Sequence, residues 1–156
     1  MLENCRNAKE RWGGVSEIID RWLRERQELI VRYCDLTAKA DVPADVRAVQ
    51  YQSFCQILVD YVSAGHFEVY GQLIEEAREF GDGGEELANK VMPDIDKTTE
   101  VALNFNDRFD DINRVDDGLG TLDSEIPALG QVLEERFSLE DMLIEQLHTV
   151  HADQVA

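Results

Sequence analysis

FCQILVDYVSAGHFEVY, residues 54–70, is the stretch from which the fold can be read. Phe54, Ile57, Leu58, Tyr61 and Val62 recur at the three-and-four spacing that lines apolar groups along one face of an α-helix, and that face needs a partner to bury it. Ser63, Ala64 and Gly65 then interrupt the apolar run with small residues, which permit close helix approach or a change in the face that points inward. Beside this stripe runs a second one, Asp60, Ser63 and Phe67, at i, i+3 and i+7. Two readings of it stand: a contact surface for another molecule, or a solvated aspartate beside a buried ring.

Working outward, the helix carrying this stretch is predicted to run from about Ala44 to Phe80, with a bend at residues 63–65 and a stop at Gly81-Asp82-Gly83-Gly84. It is preceded by a connector, residues 39–45, in which Pro43 disfavours helix at Val42 and Asp45 offers an N-terminal cap. An earlier long helix is marked by Val15, Ile18, Ile19, Trp22, Leu29, Ile30, Tyr33 and Leu36 to about residue 38. Its polar side, Glu25, Arg26, Glu28 and Arg32, can pair charges across a turn, and Trp22 reads as core. Residues 3–11 suit a short polar helix that stops at Trp12-Gly13-Gly14.

Downstream, residues 85–91 suit a short helix that Met92 leaves because Pro93 follows, and Pro93 opens a further helix. Ile95, Thr98, Ala102, Phe105, Phe109 and Ile112 give that helix a narrow seam of the kind that bundles bury. The acidic turn DDINRVDDGLG, residues 110–120, fails calcium-loop spacing: with Gly118 in the glycine position, Val115 and Ser124 fall where oxygen-rich ligands are needed. A last helix is expected from Asp123 or Ser124, with Pro127 in its first turn. Its inner face is Leu129, Leu133, Phe137, Ile144 and Leu147, widened by Leu139, Leu143 and Val150. The expected fold is therefore all-α, one domain over residues 1–156: an antiparallel four-helix bundle with short additional helices and no sheet.

Composition narrows the function. The 156 residues are 44% hydrophobic, enough for a core, and contain no apolar run of membrane-spanning length and no signal-peptide pattern. A soluble, unprocessed cytoplasmic protein is expected. Cys5, Cys34 and Cys55 form no C-x-x-C and are odd in number, so reduced thiols are the default, with Cys34 and Cys55 on faces where small apolar groups pack. Fifteen Lys and Arg against 33 Asp and Glu give a net charge of −18, which disfavours direct nucleic-acid binding. Residues 41–156 hold 26 of the acids and only 7 bases, a field that would steer a basic partner such as a DNA-binding module, or simply aid solubility.

Catalytic signals are weak. Glu145 and His148 make one E-x-x-H, but di-iron bundles need two such pairs and two more carboxylates, so no metal or cofactor is expected. His148 and His151 near the chain end read as solvated, and His66 as packed and hydrogen-bonded. No serine or cysteine stands in a nucleophile setting, so no catalytic residue is assigned.

Asp20-Arg21-Trp22-Leu23, Phe54-Cys55-Gln56, the run from Leu58 to Phe67 and the run from Leu133 to Asp141 resemble the Rsd/AlgQ family of bacterial regulators of sigma D. The likeness runs in order through almost the whole chain, and CRNAKERWGG with VDYVSAGHFEVY leans toward the AlgQ branch. The resemblance implies an all-helical anti-sigma factor, not an enzyme, that binds the carboxy-terminal promoter-reading domain of the primary sigma factor, as a monomer in that complex. It also implies a link to alginate and virulence genes. Asp60 is the first choice for pairing an arginine of that domain, with Ser63 and Phe67 beside it and Asp20 and Leu23 on the first helix as further candidates. Asp60 could instead bond an arginine of the first helix, and the chain could be an acidic adaptor for a different basic protein.

Overall fold

A computed structural model describes residues 8–38, 42–113 and 119–155. Its α-helices are α1 (Ala8–Thr37), α2 (Ala44–Ala64), α3 (Tyr70–Phe80), α4 (Gly84–Asn113), α5 (Leu119–Leu147) and the short α6 (Ala152–Val155). A π-helical turn, Gly65–Val69, joins α2 to α3, and a 3-10 turn, Thr149–His151, leads into α6. No strand occurs among the described residues.

Four rods close into a ring, the second of them made of α2, the π-turn and α3. Trp22 of α1 stacks on Tyr61 of α2 at 4.8 Å, and Phe54 of α2 meets Phe105 of α4 edge-on at 6.0 Å. Arg136 of α5 donates to Thr98 of α4 at 2.9 Å, while the Tyr33 hydroxyl of α1 donates to the Ile126 carbonyl of α5 at 3.0 Å. At the far end of that last pair the Trp12 indole donates to the His148 carbonyl, also at 3.0 Å. Early residues of one helix thus meet late residues of its neighbour, so adjacent rods run antiparallel. The expected seams form the core: Trp22, Phe54, Leu58, Ile95, Phe105 and Leu147 are all buried, each stabilising the fold by about 1.5–3 kcal/mol.

The boundaries differ from the expectation in several places, each time because packing outweighs a local signal. Helix α1 runs straight through Gly13-Gly14. The paired glycines cost about 1 kcal/mol each in a helix, but Trp12 is pinned to His148 on one side and Val15 is buried on the other. Helix α4 likewise continues through Pro93. Pro93 and Asn89, whose carbonyl the proline leaves unbonded, are both exposed, so water can satisfy that oxygen while Ala88, Val91 and Ile95 stay buried on the opposite side.

Helix α5 starts at Leu119, ahead of the expected caps, and Pro127 lies within it. Asp123 caps nothing there; it accepts from the Tyr51 hydroxyl and from Arg47 at 2.7 Å, tying α5 to α2. Asp45 is no cap either, since Pro43 occupies that position and Asp45 lies in the first turn. Cys34 is exposed, unlike the buried Cys55, and Val150 is exposed in the 3-10 turn and adds nothing to the inner face. Cys5, residues 3–7, residues 39–41, the calcium-loop positions Val115 and Gly118, and the side chain of Ile112 lie outside the described residues.

Candidate partner-binding face

The bend expected at residues 63–65 takes the form of a π-turn. The Tyr70 amide reaches back five residues to the Gly65 carbonyl, so the helix accommodates one extra residue. Gly65 is required by a close approach: a Cβ there would stand 2.9 Å from the Tyr70 hydroxyl and 3.3 Å from the Trp22 ring. The turn throws Phe67 outward, where its side chain is 90% exposed. A phenyl ring so fully in water gains nothing for the isolated fold.

Around it lie the other residues singled out from the sequence. Asp60 is exposed on α2 and Ser63 half-buried a turn later; Asp20 is exposed on α1, and Leu23 is half-buried against the core. Arg21 pairs with Glu68 at 2.6 Å, which places the chain neighbours Asp20 and Phe67 at the two ends of one ion pair bridging α1 and the π-turn. Two arginines of α1 are engaged elsewhere: Arg21 on Glu68, Arg26 on Asp141 at 2.5 Å. Asp60 makes no ion pair among the described residues. It acts on Glu25 of α1, whose carboxyl is pushed up by burial and then by Asp60 and Glu68, with Arg21 pulling the other way. The face therefore carries a crowded negative charge beside an exposed ring.

Behind this face lies a buried polar network that sequence reasoning missed. Arg136 is fully buried and Glu140 almost so. Arg136 donates to Glu140 at 3.2 Å, to the Tyr70 hydroxyl at 2.9 Å and to Thr99 at 2.7 Å. Glu140 accepts from the hydroxyls of Tyr61, at 2.6 Å, and Tyr70. Burial, and next the Glu140 charge, hold both tyrosines well above the usual phenol range, while burial raises Glu140 itself against the pull of Arg136. A signal existed in the sequence. Leu122, Ile126, Leu129, Leu133, Arg136, Glu140, Leu143 and Leu147 step at alternating fours and threes and are all buried, so two charged residues occupy consecutive positions of the α5 seam. Phe137 and Ile144, expected on the inner face, only flank it.

The terminal histidines also depart from the expectation of solvation. His148 is buried, stacked on Trp12 at 4.4 Å, with Nδ1 2.9 Å from the buried Glu76. His151 is stacked on Phe80 at 3.8 Å, with Nε2 2.6 Å from Asp82. They fasten the end of the chain to α3. Glu145 is exposed, away from this cluster, so the E-x-x-H pair does not converge. Among the described residues no group of three or more His, Cys, Asp or Glu could hold a metal ion. His66 is packed and hydrogen-bonded as expected, its Nε2 2.8 Å from Thr99 Oγ1.

An all-α bundle with a strongly acidic surface and one exposed aromatic beside clustered carboxylates has the makings of a protein-binding regulator. Comparison with known proteins gives the class: over residues 1–148 the chain matches the family described as "Regulator of RNA polymerase sigma(70) subunit, Rsd/AlgQ", and it belongs to that family. Among its relatives, the Regulator of sigma D of Yersinia pseudotuberculosis is 33% identical over 148 residues, covering 93% of this chain and 88% of that protein. The protein of the same name from Enterobacter sp. strain 638 is 34% identical, covering 92% of this chain and 88% of its own. No helix among the described residues is long and apolar enough to cross a membrane.

Proposed function

We propose that this protein acts as an anti-sigma factor: it holds the carboxy-terminal, promoter-reading domain of the primary sigma factor against the α1–α2 face and so keeps sigma from its promoter and from core RNA polymerase. The observation that carries the reading is the pairing of a 90%-exposed Phe67 with Asp60, an exposed carboxylate without an internal ion pair among the described residues. Such a patch fits an arginine-bearing surface with an apolar centre. Ser63, Asp20 and Leu23 complete the face. Membership of a family of sigma regulators, matched over residues 1–148, supports a binding role without catalysis, at work in the cytoplasm as one unit. The link to alginate and virulence genes rests on the resemblance to the AlgQ branch.

Calorimetric titration with the purified sigma domain tests this. Asp60→Lys should leave helicity and melting near wild type, because a lysine there relieves crowding with Glu25 and Glu68. Sigma affinity should fall by more than about 1.4 kcal/mol, a tenfold loss. Unchanged affinity removes Asp60 from the interface. No complex with the wild-type protein turns the reading toward an acidic adaptor for another basic protein.

A further inference from the structure

We infer that His66, acting through Thr99 and the buried Arg136, holds the Gly65–Val69 turn in the register that presents Phe67, and is thereby a positioning residue for the partner-binding face. The inference rests on the reading that this face takes the sigma domain.

A π-turn is a locally unfavourable arrangement that persists only where its surroundings over-determine it. On one flank the Gly65 backbone lies against the Tyr70 and Trp22 rings. Tyr70 is itself fixed by its hydroxyl bond to Glu140 and by the Arg136 bond at 2.9 Å. On the outer flank Glu68 is tied to Arg21, but that bridge is exposed, 56% and 42% at its two side chains, and such pairs contribute only about 0–1 kcal/mol. Val69 is buried in the core, and His66 supplies a hydrogen-bonded tie to α4. Its Nε2 stands 2.8 Å from Thr99 Oγ1, which accepts from Arg136 at 2.7 Å, and its ring meets Tyr70 edge-on at 5.1 Å. Phe67 projects between these anchored neighbours. If the turn relaxed to an ordinary α-helix, the residues beyond the insertion would change facing by about 100°, one residue's rotation, and Phe67 and Glu68 could not both keep their places.

Thr99 Oγ1 accepts from Arg136 and donates to the Ile95 carbonyl at 3.2 Å, so His66 Nε2–H donates to it; protonating the ring keeps that bond but sets a second positive charge against Arg136. The charged groups around the imidazole are Arg136 from α5 and Asp96 from α4; Tyr70 from α3 covers the ring, and on the α1 side Arg21 is engaged by Glu68. Burial first, then Arg136, depress the His66 pKa from its ordinary 6.5, with Asp96 opposing. A base with a depressed folded pKa resists protonation in place, so the anchoring is at full strength above 6.5 and weakens as pH falls from 6.5 through the lower folded value, where a charged ring faces Arg136.

Two measurements separate this inference from the functional reading. Amide hydrogen exchange across residues 65–70 needs no partner: His66→Ala should speed exchange of the Tyr70 amide by about tenfold or more with global melting near wild type. Unchanged exchange there overturns the positioning role whether or not sigma binds. Titration with the sigma domain follows at about pH 7.5 and about pH 5.5, values that bracket ordinary histidine titration. His66→Ala should weaken binding about fivefold or more at the higher pH, while His66→Gln, whose amide nitrogen can occupy the Nε2 position, should stay within about twofold of wild type. His66→Gln should also lose less affinity than wild type on acidification, since glutamine does not titrate. Equal affinity for His66→Ala and wild type, or identical pH profiles for His66→Gln and wild type, overturns the proposal. If His66→Ala fails to fold, His66→Gln and Thr99→Val decide by the same readouts. Faster exchange without any sigma complex leaves the anchoring of the turn in place and sinks the functional reading.

Discussion

Arg136 and Glu140 show what a buried charged pair does in this bundle. Each would be costly alone in the core, and they are tolerated because Tyr61, Tyr70, Thr98, Thr99 and Arg26 complete their hydrogen bonds. Replacing one partner leaves the other charge uncompensated. We therefore expect Arg136→Met to destabilise the protein by about 3–5 kcal/mol, and Arg136→Met with Glu140→Leu to recover only part of that, because the Tyr61 and Tyr70 hydroxyls lose their acceptor. Urea unfolding of the two variants measures both quantities. A double variant as weak as the single one would mean that the tyrosine hydroxyls, rather than the unpaired Glu140 charge, dominate the loss.

At the scale of helices, the recurring lesson is that solvent on one side and packing on the other decide whether a breaker breaks. Pro93 sits inside α4 with its ring and the freed Asn89 carbonyl on the exposed side, so the helix continues at a local cost. Pro93→Ala restores the missing amide donor. We expect it to stabilise the protein by about 1–3 kcal/mol, seen as a higher melting temperature, with no change in sigma affinity because Pro93 lies on α4 and not on the α1–α2 face. A lower melting temperature would show that the backbone restriction supplied by Pro93 outweighs the missing hydrogen bond. The π-turn is the opposite case, a local irregularity retained because Gly65, His66 and Glu68 are each held from a different neighbour.

For the molecule as a whole, charge governs encounter more than grip. With 26 acidic against 7 basic groups beyond residue 40, the field reaches past any single ion pair and draws a cationic domain inward. Association with the sigma domain should slow markedly as salt rises from about 50 to about 500 mM, while dissociation, set by the close contacts around Phe67, changes little. Stopped-flow mixing resolves the two rates. An association rate indifferent to salt would leave the charge with a role in solubility alone.

The helices, the seams of α1 and α4 and the grouping of Asp60, Ser63 and Phe67 on one stripe were legible in the chain because periodicity records which residues share a side of a helix; that Phe67 meets water and not the core was decided by the tertiary structure. The family resemblance was legible too, in contiguous runs such as the one from Leu58 to Phe67. What only the tertiary structure decided was where local signals yield: the glycine pair that stays helical because Trp12 is pinned to His148, the prolines carried inside α4 and α5, and the terminal histidines drawn onto Glu76 and Asp82. It also decided that two charged residues belong in the α5 seam. The physical reason is common to all of these. Propensities are worth about a kilocalorie per residue, or about three for an interior proline, whereas burial and buried hydrogen bonds drawn from many residues far apart in sequence sum to more, and their partners are known only once the bundle has closed.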